Sequence, residues 1–229
     1  MPDSAEKKAS VSLYYNKEIT GPFVADPAAP FLISFPRTGS HWLRMVMELY
    51  FERPLLTRIF FYHEKRDFLA LHTHDLDLDI ERENVIYLYR DPVDTLFSYL
   101  RYYNEPMENA AVVKSRAGFY GRHLHKWLIA EKCTKKKTIV RFEKLRAGDA
   151  DEFGKICFHF SVPCVRHKLV QCMQRVSKES VRIIVPDDPR VIDLSDDYDS
   201  QRELLRSKSG ELIMREIFNG RESLREWFE

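Results

Sequence analysis

The 229-residue chain contains no apolar run of about 18 residues, so no segment is expected to cross a membrane as a helix. It has little cysteine. Cys133, Cys157, Cys164 and Cys172 show neither Cys-x-x-Cys spacing nor the density of a disulfide scaffold, and read as reduced packing residues. Charge of one sign is also missing: 36 Lys and Arg stand against 35 Asp and Glu, and a formal charge of +1 argues against a general nucleic-acid binder. No internal repeat is found. Met1 to Lys17 is polar and charged, without the apolar core of a secretory signal, and a cytoplasmic enzyme is the expectation. With 44% hydrophobic residues the chain can bury a sizeable core. The expected organisation is a lead-in over 1–30, rich in proline and able to pack over a site, followed by a domain over 31–229.

What is present begins at Phe31-Leu-Ile-Ser-Phe35, an apolar run that reads as a buried strand. Pro36-Arg-Thr-Gly-Ser-His-Trp42 follows, and Trp42, Leu43, Met45, Val46, Leu49 and Tyr50 then recur with helical spacing. Strand, tight loop and helix start place unsatisfied N–H groups beside Arg37, Thr38 and Ser40, while Gly39 lets the backbone turn closely. Such a loop suits a phosphate. It is not the ATP/GTP phosphate loop, which needs glycine at position 34 and Gly-Lys-Ser/Thr at its end. Here Ser34 and Gly39-Ser40-His41 occupy those places.

The loop resembles the Pro-Lys-Ser-Gly-Thr-Thr-Trp loop of sulfotransferases that use 3′-phosphoadenosine-5′-phosphosulfate (PAPS). Pro36, Gly39 and Trp42 match; Arg37 stands for the family lysine, and Ser40 and His41 stand for its two threonines. A second match follows the apolar run Val85–Tyr89. Arg90-Asp-Pro-Val-Asp94 through Ser98-Tyr99 is similar to the family signature that binds the cofactor's 3′-phosphate, with Arg90 and Ser98 at its arginine and serine. Between the two, Phe68-Leu-Ala-Leu-His-Thr-His74 resembles the family's Lys-Thr-His segment, with His74 on the histidine that removes the acceptor's proton and His72 on the lysine. The three segments also follow the family's order.

Other readings compete. His72 and His74 at i, i+2 with carboxylates nearby suggest a metal hydrolase, but His-x-His-x-Asp-His would need Asp at 76 and His at 77, where Leu76 and Asp77 stand. No metal is therefore expected. Trp42 is either core or a platform for adenine. Arg37 and Arg90 are surface ion-pair partners or phosphate ligands, and their place at strand ends favours the latter.

Farther along, a helix is expected from Pro92 to Tyr103, a long loop over Asn104 to Gly118, a helix over Arg122 to Lys132, a strand over Thr138 to Phe142, and helices over Asp149 to Phe160 and Val165 to Ser177. Pro186 to Ser200, rich in aspartate, reads as an exposed loop. Ser177 is the candidate for the family's Thr-Ser-Phe segment near the adenine. Phe218-Asn-Gly-Arg-Glu-Ser-Leu-Arg-Glu-Trp227 partly resembles the family's C-terminal 3′-phosphate clamp, with Arg221 on the lysine, Gly220 where arginine is expected and Glu222 where glycine is.

The resemblance implies an α/β protein of three layers, with a central, mainly parallel sheet of about five strands related to nucleotide kinases. It implies PAPS as sulfuryl donor, PAP as product, and an acceptor hydroxyl or amine on a small molecule, lipid or carbohydrate. Arg37, Thr38, Gly39, Ser40, His41, Trp42, Arg90, Ser98, Ser177 and Arg221 would bind the cofactor, and His74 with Arg37 would act in catalysis. Two alternatives remain: a silent PAPS- or PAP-binding protein, and an ATP-dependent kinase.

Overall fold

A computed structural model describes residues 17–186, 188 and 191–228. The chain is α/β, and the apolar runs become a parallel sheet. β1 (Phe31–Ser34), β2 (Leu71–Thr73), β3 (Asn84–Tyr89) and β4 (Lys136–Arg141) lie in the order β2-β1-β3-β4, with every neighbouring pair parallel. Four strands are found among the described residues against about five expected. The four are those with runs of their own in the sequence; the fifth was implied by resemblance alone.

Alternation along each strand builds the two outer layers. Leu32, Ile86, Leu88 and Val140 face one core, and Phe31, Ile33, Val85, Tyr87 and Tyr89 face the other. A parallel sheet covered on both faces needs such continuous apolar runs. On the first face pack α2 (Ser40–Phe51), α6 (Ala150–His159), α7 (Arg166–Arg175) and α8 (Lys178–Ile184); on the second pack α3 (Pro92–Tyr103), α4 (Ala110–Leu124) and α9 (Tyr198–Phe218). A short α5 (Phe142–Arg146) leaves the end of β4 directly.

Three expectations are corrected. The loop expected over 104–118 is only 104–109 long, because the Asn109 carboxamide accepts from the N–H groups of Ala111 and Val112 and starts α4 there. The buried face of α4, Val113, Ala117, Tyr120 and Leu124, has helical spacing but is diluted by Ala and Gly, which hid the period. Residues 186–200 are not simply an exposed loop, since α9 begins at Tyr198 and the acidic residues before it are paired. The described part of the lead-in is α1 (Lys17–Ala25), whose Phe23 stacks on Phe31 at the start of β1, at the opposite end of that strand from the loop 36–42. Residues 1–16 lie outside the described residues.

Beyond Leu124, α4 widens into a π-helical segment, His125–Ala130. Its first turn lies against the end of β2, where the candidate base stands.

Candidate active site

The chain leaves β1 toward β2 on one side and β3 on the other, so the carboxyl ends of β1 and β3 flank a topological switch point, the place where open α/β sheets bind ligands. Loop 35–39 leaves one of these ends and Arg90 the other. The backbone turns sharply there: Arg37 has φ 71° and Gly39 φ 94°. A Cβ on Gly39 would lie 2.1 Å from the Phe142 ring, so the loop is pressed against α5. Thr38 turns inward, its hydroxyl donating to the Phe35 carbonyl at 2.8 Å and closing the turn. Trp42 is fixed by Nε1 donating to the Val176 carbonyl at 3.1 Å and meets Phe142 edge-on.

A cavity of about 490 Å³ opens over this loop, lined by Arg37, Gly39, Ser40, His41, Trp42 and His74 together with Arg90 and Ser98. Eight of the eleven sequence-selected residues thus converge. Of the others, Thr38 contributes its backbone to the loop. Ser177 instead caps α8, accepting from the Ser180 N–H at 3.1 Å. Arg221 is engaged at the end of α9, donating to the carbonyls of Ile217 at 2.8 Å and Glu216 at 2.7 Å. Neither Ser177 nor Arg221 lines the cavity.

Arg37 lies across the cavity: Nε donates to the Ser98 hydroxyl at 3.2 Å, Nη2 to the Val191 carbonyl at 2.9 Å, and the guanidinium stacks 4.4 Å from the Tyr102 ring centre. The segment carrying Val191 is tied down by its acidic residues. Tyr102 donates to Asp188 at 2.7 Å, while Arg101 pairs with Asp193 and Asp197.

Arg90 is placed by Tyr120, whose hydroxyl accepts from its N–H and donates to its carbonyl. Pro92 at the first turn of α3 and the Asp91 carboxylate, accepting from the Asp94 N–H, start the helix that carries Ser98. The Arg90 Nε is buried without a hydrogen-bond partner. A buried, unsatisfied cationic donor beside a phosphate-type loop is suited to an anion.

His74 follows β2. Its Nδ1 lies 2.7 Å from the Ser34 carbonyl, which can only accept, so Nδ1 carries the proton and Nε2 keeps a lone pair. Burial holds its pKa below 6.5; the Ser34 bond opposes this, and the cations Arg44 and Arg37 add to it. His41 and His72 are held well below 6.5, again chiefly by burial and then by Arg44. These three rings are therefore neutral at pH 7. His72 also meets the Ser34 hydroxyl at 3.1 Å. Arg44 is anchored by the Arg58 carbonyl at 2.5 Å and the Phe60 ring.

Two residues escaped the sequence reading. His123 of α4 is wholly buried; its Nε2 lies 2.8 Å from the His74 carbonyl and its Nδ1 2.9 Å from the Tyr87 hydroxyl. The carbonyl can only accept, so His123 donates to His74 and accepts from Tyr87. The next residue, Asp75, with φ 45°, gives Oδ2 to Lys126 at 2.7 Å and Trp127 at 2.9 Å in the π segment. Both flanks of His74 are thereby held by α4 and its continuation. Arg146 of α5 also lines the cavity, 5.1 Å from the Trp42 ring centre. Nothing in the sequence distinguished Arg146 from other surface arginines; His123, in a segment read as helix, carried no motif.

No protein-family model and no curated protein sequence matches the chain. Among solved structures it is similar to mouse sulfotransferase SULT7A1 complexed with PAP, at 16% sequence identity and a TM-score of 0.60, over 93% of this chain and 92% of that one. The α/β architecture described above is thus a sulfotransferase-like fold.

Proposed function

We propose that the chain transfers the sulfuryl group of PAPS to an acceptor hydroxyl or amine and releases PAP. The observation that carries this reading is the convergence, in one cavity, of the loop 36–42, Arg90 with its unpartnered Nε, and His74 with a free Nε2 lone pair. The residues fit such a nucleotide: the loop presents N–H groups at the start of α2, and Arg90 and Ser98 offer donors for a further phosphate. The relative with PAP bound supports the same nucleotide class.

When bound, PAPS supplies an activated sulfuryl group on a 5′-phosphate leaving group. His74 Nε2 takes the proton from the attacking hydroxyl or amine, while Nδ1 stays bonded to the Ser34 carbonyl and fixes the ring's orientation. Arg37 and the amides of Thr38 to Trp42 stabilise negative charge at the 5′ side. For this Arg37 leaves the Val191 carbonyl, a hydrogen bond to a neutral group that a phosphate oxygen outcompetes. No step in this scheme calls for a metal. The acceptor is a small molecule, lipid or carbohydrate.

Calorimetric titration with PAP, 5′-AMP and ATP with magnesium tests the reading, followed by an acceptor screen with PAPS. Tight binding of PAP alone and sulfated product support it. Preference for ATP with magnesium replaces it with a kinase; PAP binding without turnover across the screen leaves a nucleotide-binding protein.

A further inference from the structure

Resemblance placed the second 3′-phosphate cation at Arg221, yet that guanidinium is bonded to the Ile217 and Glu216 carbonyls and wedged within 3.0 Å of where Gly121 would carry a Cβ. A nucleotide with both a 5′- and a 3′-phosphate still needs charge compensation in the cavity. The cations that line it are Arg37, Arg90, Arg146, Lys178 and Arg202; the carboxylates are Asp94, Glu143, Asp188 and Asp193.

The carboxylates near Arg90 are committed elsewhere. Asp94 accepts from Arg206 at 2.7 Å, and Glu143 accepts from the Asp91 N–H at 2.9 Å and from Arg141 at 3.1 Å. Arg90 reaches the same two groups only at 3.6 and 4.0 Å, beyond hydrogen-bond length. Arg202 pairs with Asp199 at 3.1 Å, and Arg37 is held by Ser98, Val191 and Tyr102. Among the described residues Arg146 makes no hydrogen bond or ion pair. Its electrostatic neighbour is Arg90, and the two guanidiniums stand over the joined aromatic pair, Arg90 on Phe142 at 4.9 Å and Arg146 on Trp42 at 5.1 Å. Two like charges facing one cavity, one with a buried orphan donor and one unpaired, lack the anion that would compensate them.

We propose that Arg146 and Arg90 together seat the 3′-phosphate, so that in this chain the second clamp residue comes from α5 beside the phosphate loop instead of from the C-terminal segment. The inference rests on the PAPS reading above. Arginine suits the task because its planar fork bonds two phosphate oxygens while its face stays on Trp42.

The test is calorimetry with PAP and with 5′-AMP, which lacks only the 3′-phosphate, on the full chain and on Arg146→Gln, Arg146→Lys and Arg221→Gln, each checked for a native melting transition. Arg146→Gln is expected to weaken PAP by ~10-fold or more while 5′-AMP binding changes by less than ~2-fold, and Arg146→Lys to recover part of the loss. The clamp assignment is overturned if Arg146→Gln keeps the full preference for PAP, if it weakens both nucleotides equally, or if Arg221→Gln erases the preference instead. A wild-type chain that binds PAP no better than 5′-AMP overturns the PAPS reading itself, which separates the two failures.

Discussion

Gly39→Ala probes the phosphate loop at its tightest point. The substitution meets two separate penalties. Holding a Cβ-bearing residue at φ 94° costs about 1–2 kcal/mol. The new methyl would stand 2.1, 2.4 and 2.8 Å from three atoms of the Phe142 ring, so the ring must retreat by roughly 1.4 Å to reach ordinary contact. Overpacking of that kind costs about 1–3 kcal/mol. The sum is about 2–5 kcal/mol, visible as a lower urea midpoint. Because Phe142 also carries the Arg90 guanidinium and the edge of Trp42, its retreat should weaken PAP as well. The four proteins wild type, Gly39→Ala, Phe142→Ala and the double variant form a cycle that separates the penalties. The steric part, about 1–3 kcal/mol, should vanish in the double variant and the backbone part should remain. If Gly39→Ala unfolds within about 0.5 kcal/mol of wild type, or the double variant shows no relief, the close approach of loop and α5 is not what shapes this site.

His74→Ala should lower kcat at least ~10²-fold with PAP affinity retained; normal turnover would move the base elsewhere, His72 and Asp75 being next in line. Since burial holds His74 below 6.5 and only its neutral ring accepts a proton, kcat/KM should stay level from pH 8 to 6.5 and decline only in more acidic solution; an acid limb centred above 6.5 would contradict the assigned environment. His123→Leu removes the donor to the His74 carbonyl and should reduce kcat ~10-fold or more with little change in PAP binding, whereas His123→Gln, which can present an N–H at a similar reach, should restore most of it; equal kcat in the two variants would leave His123 a packing residue. Burial also pushes the His123 pKa down to about 3, so its unfolded form takes up a proton first, and stability intact above pH 6.5 is lost as the pH falls toward 3. At pH 5 this amounts to about 2 kcal/mol, and urea unfolding at pH 7 and 5 should show wild type losing that much more than His123→Gln.

The parts of the fold visible in the sequence were those with strong local signals. Phe31–Ser34 and Val85–Tyr89 are apolar throughout because both faces of β1 and β3 are buried, and Pro92 marked the start of α3. α4 was half missed, since its inward face at Val113, Ala117, Tyr120 and Leu124 is interrupted by small residues that let α9 approach closely. α9 itself has an apolar face too weak to announce a helix of 21 residues, and gains its place from packing on α3 and α4. In the site, Arg37, Arg90 and His74 were legible because they adjoin strand ends. Arg146 and His123 were not, because their importance comes from what the fold sets beside them: Trp42 and Arg90 for one, the His74 carbonyl for the other. Arg221 shows the converse, a plausible motif position whose side chain serves its own helix end.

The π-helical segment His125–Ala130 bears on which length changes this chain tolerates. A π turn holds one residue more than the α turn it interrupts, and that extra residue is what lets the adjacent side chains Lys126 and Trp127 both reach Asp75 Oδ2. Deleting a single residue between 125 and 130 would restore the tighter α register and swing everything beyond it by about 100°, carrying the indole away from the carboxylate. Homologous chains that keep the Asp75 anchor should therefore keep the length of this segment, even where its sequence drifts.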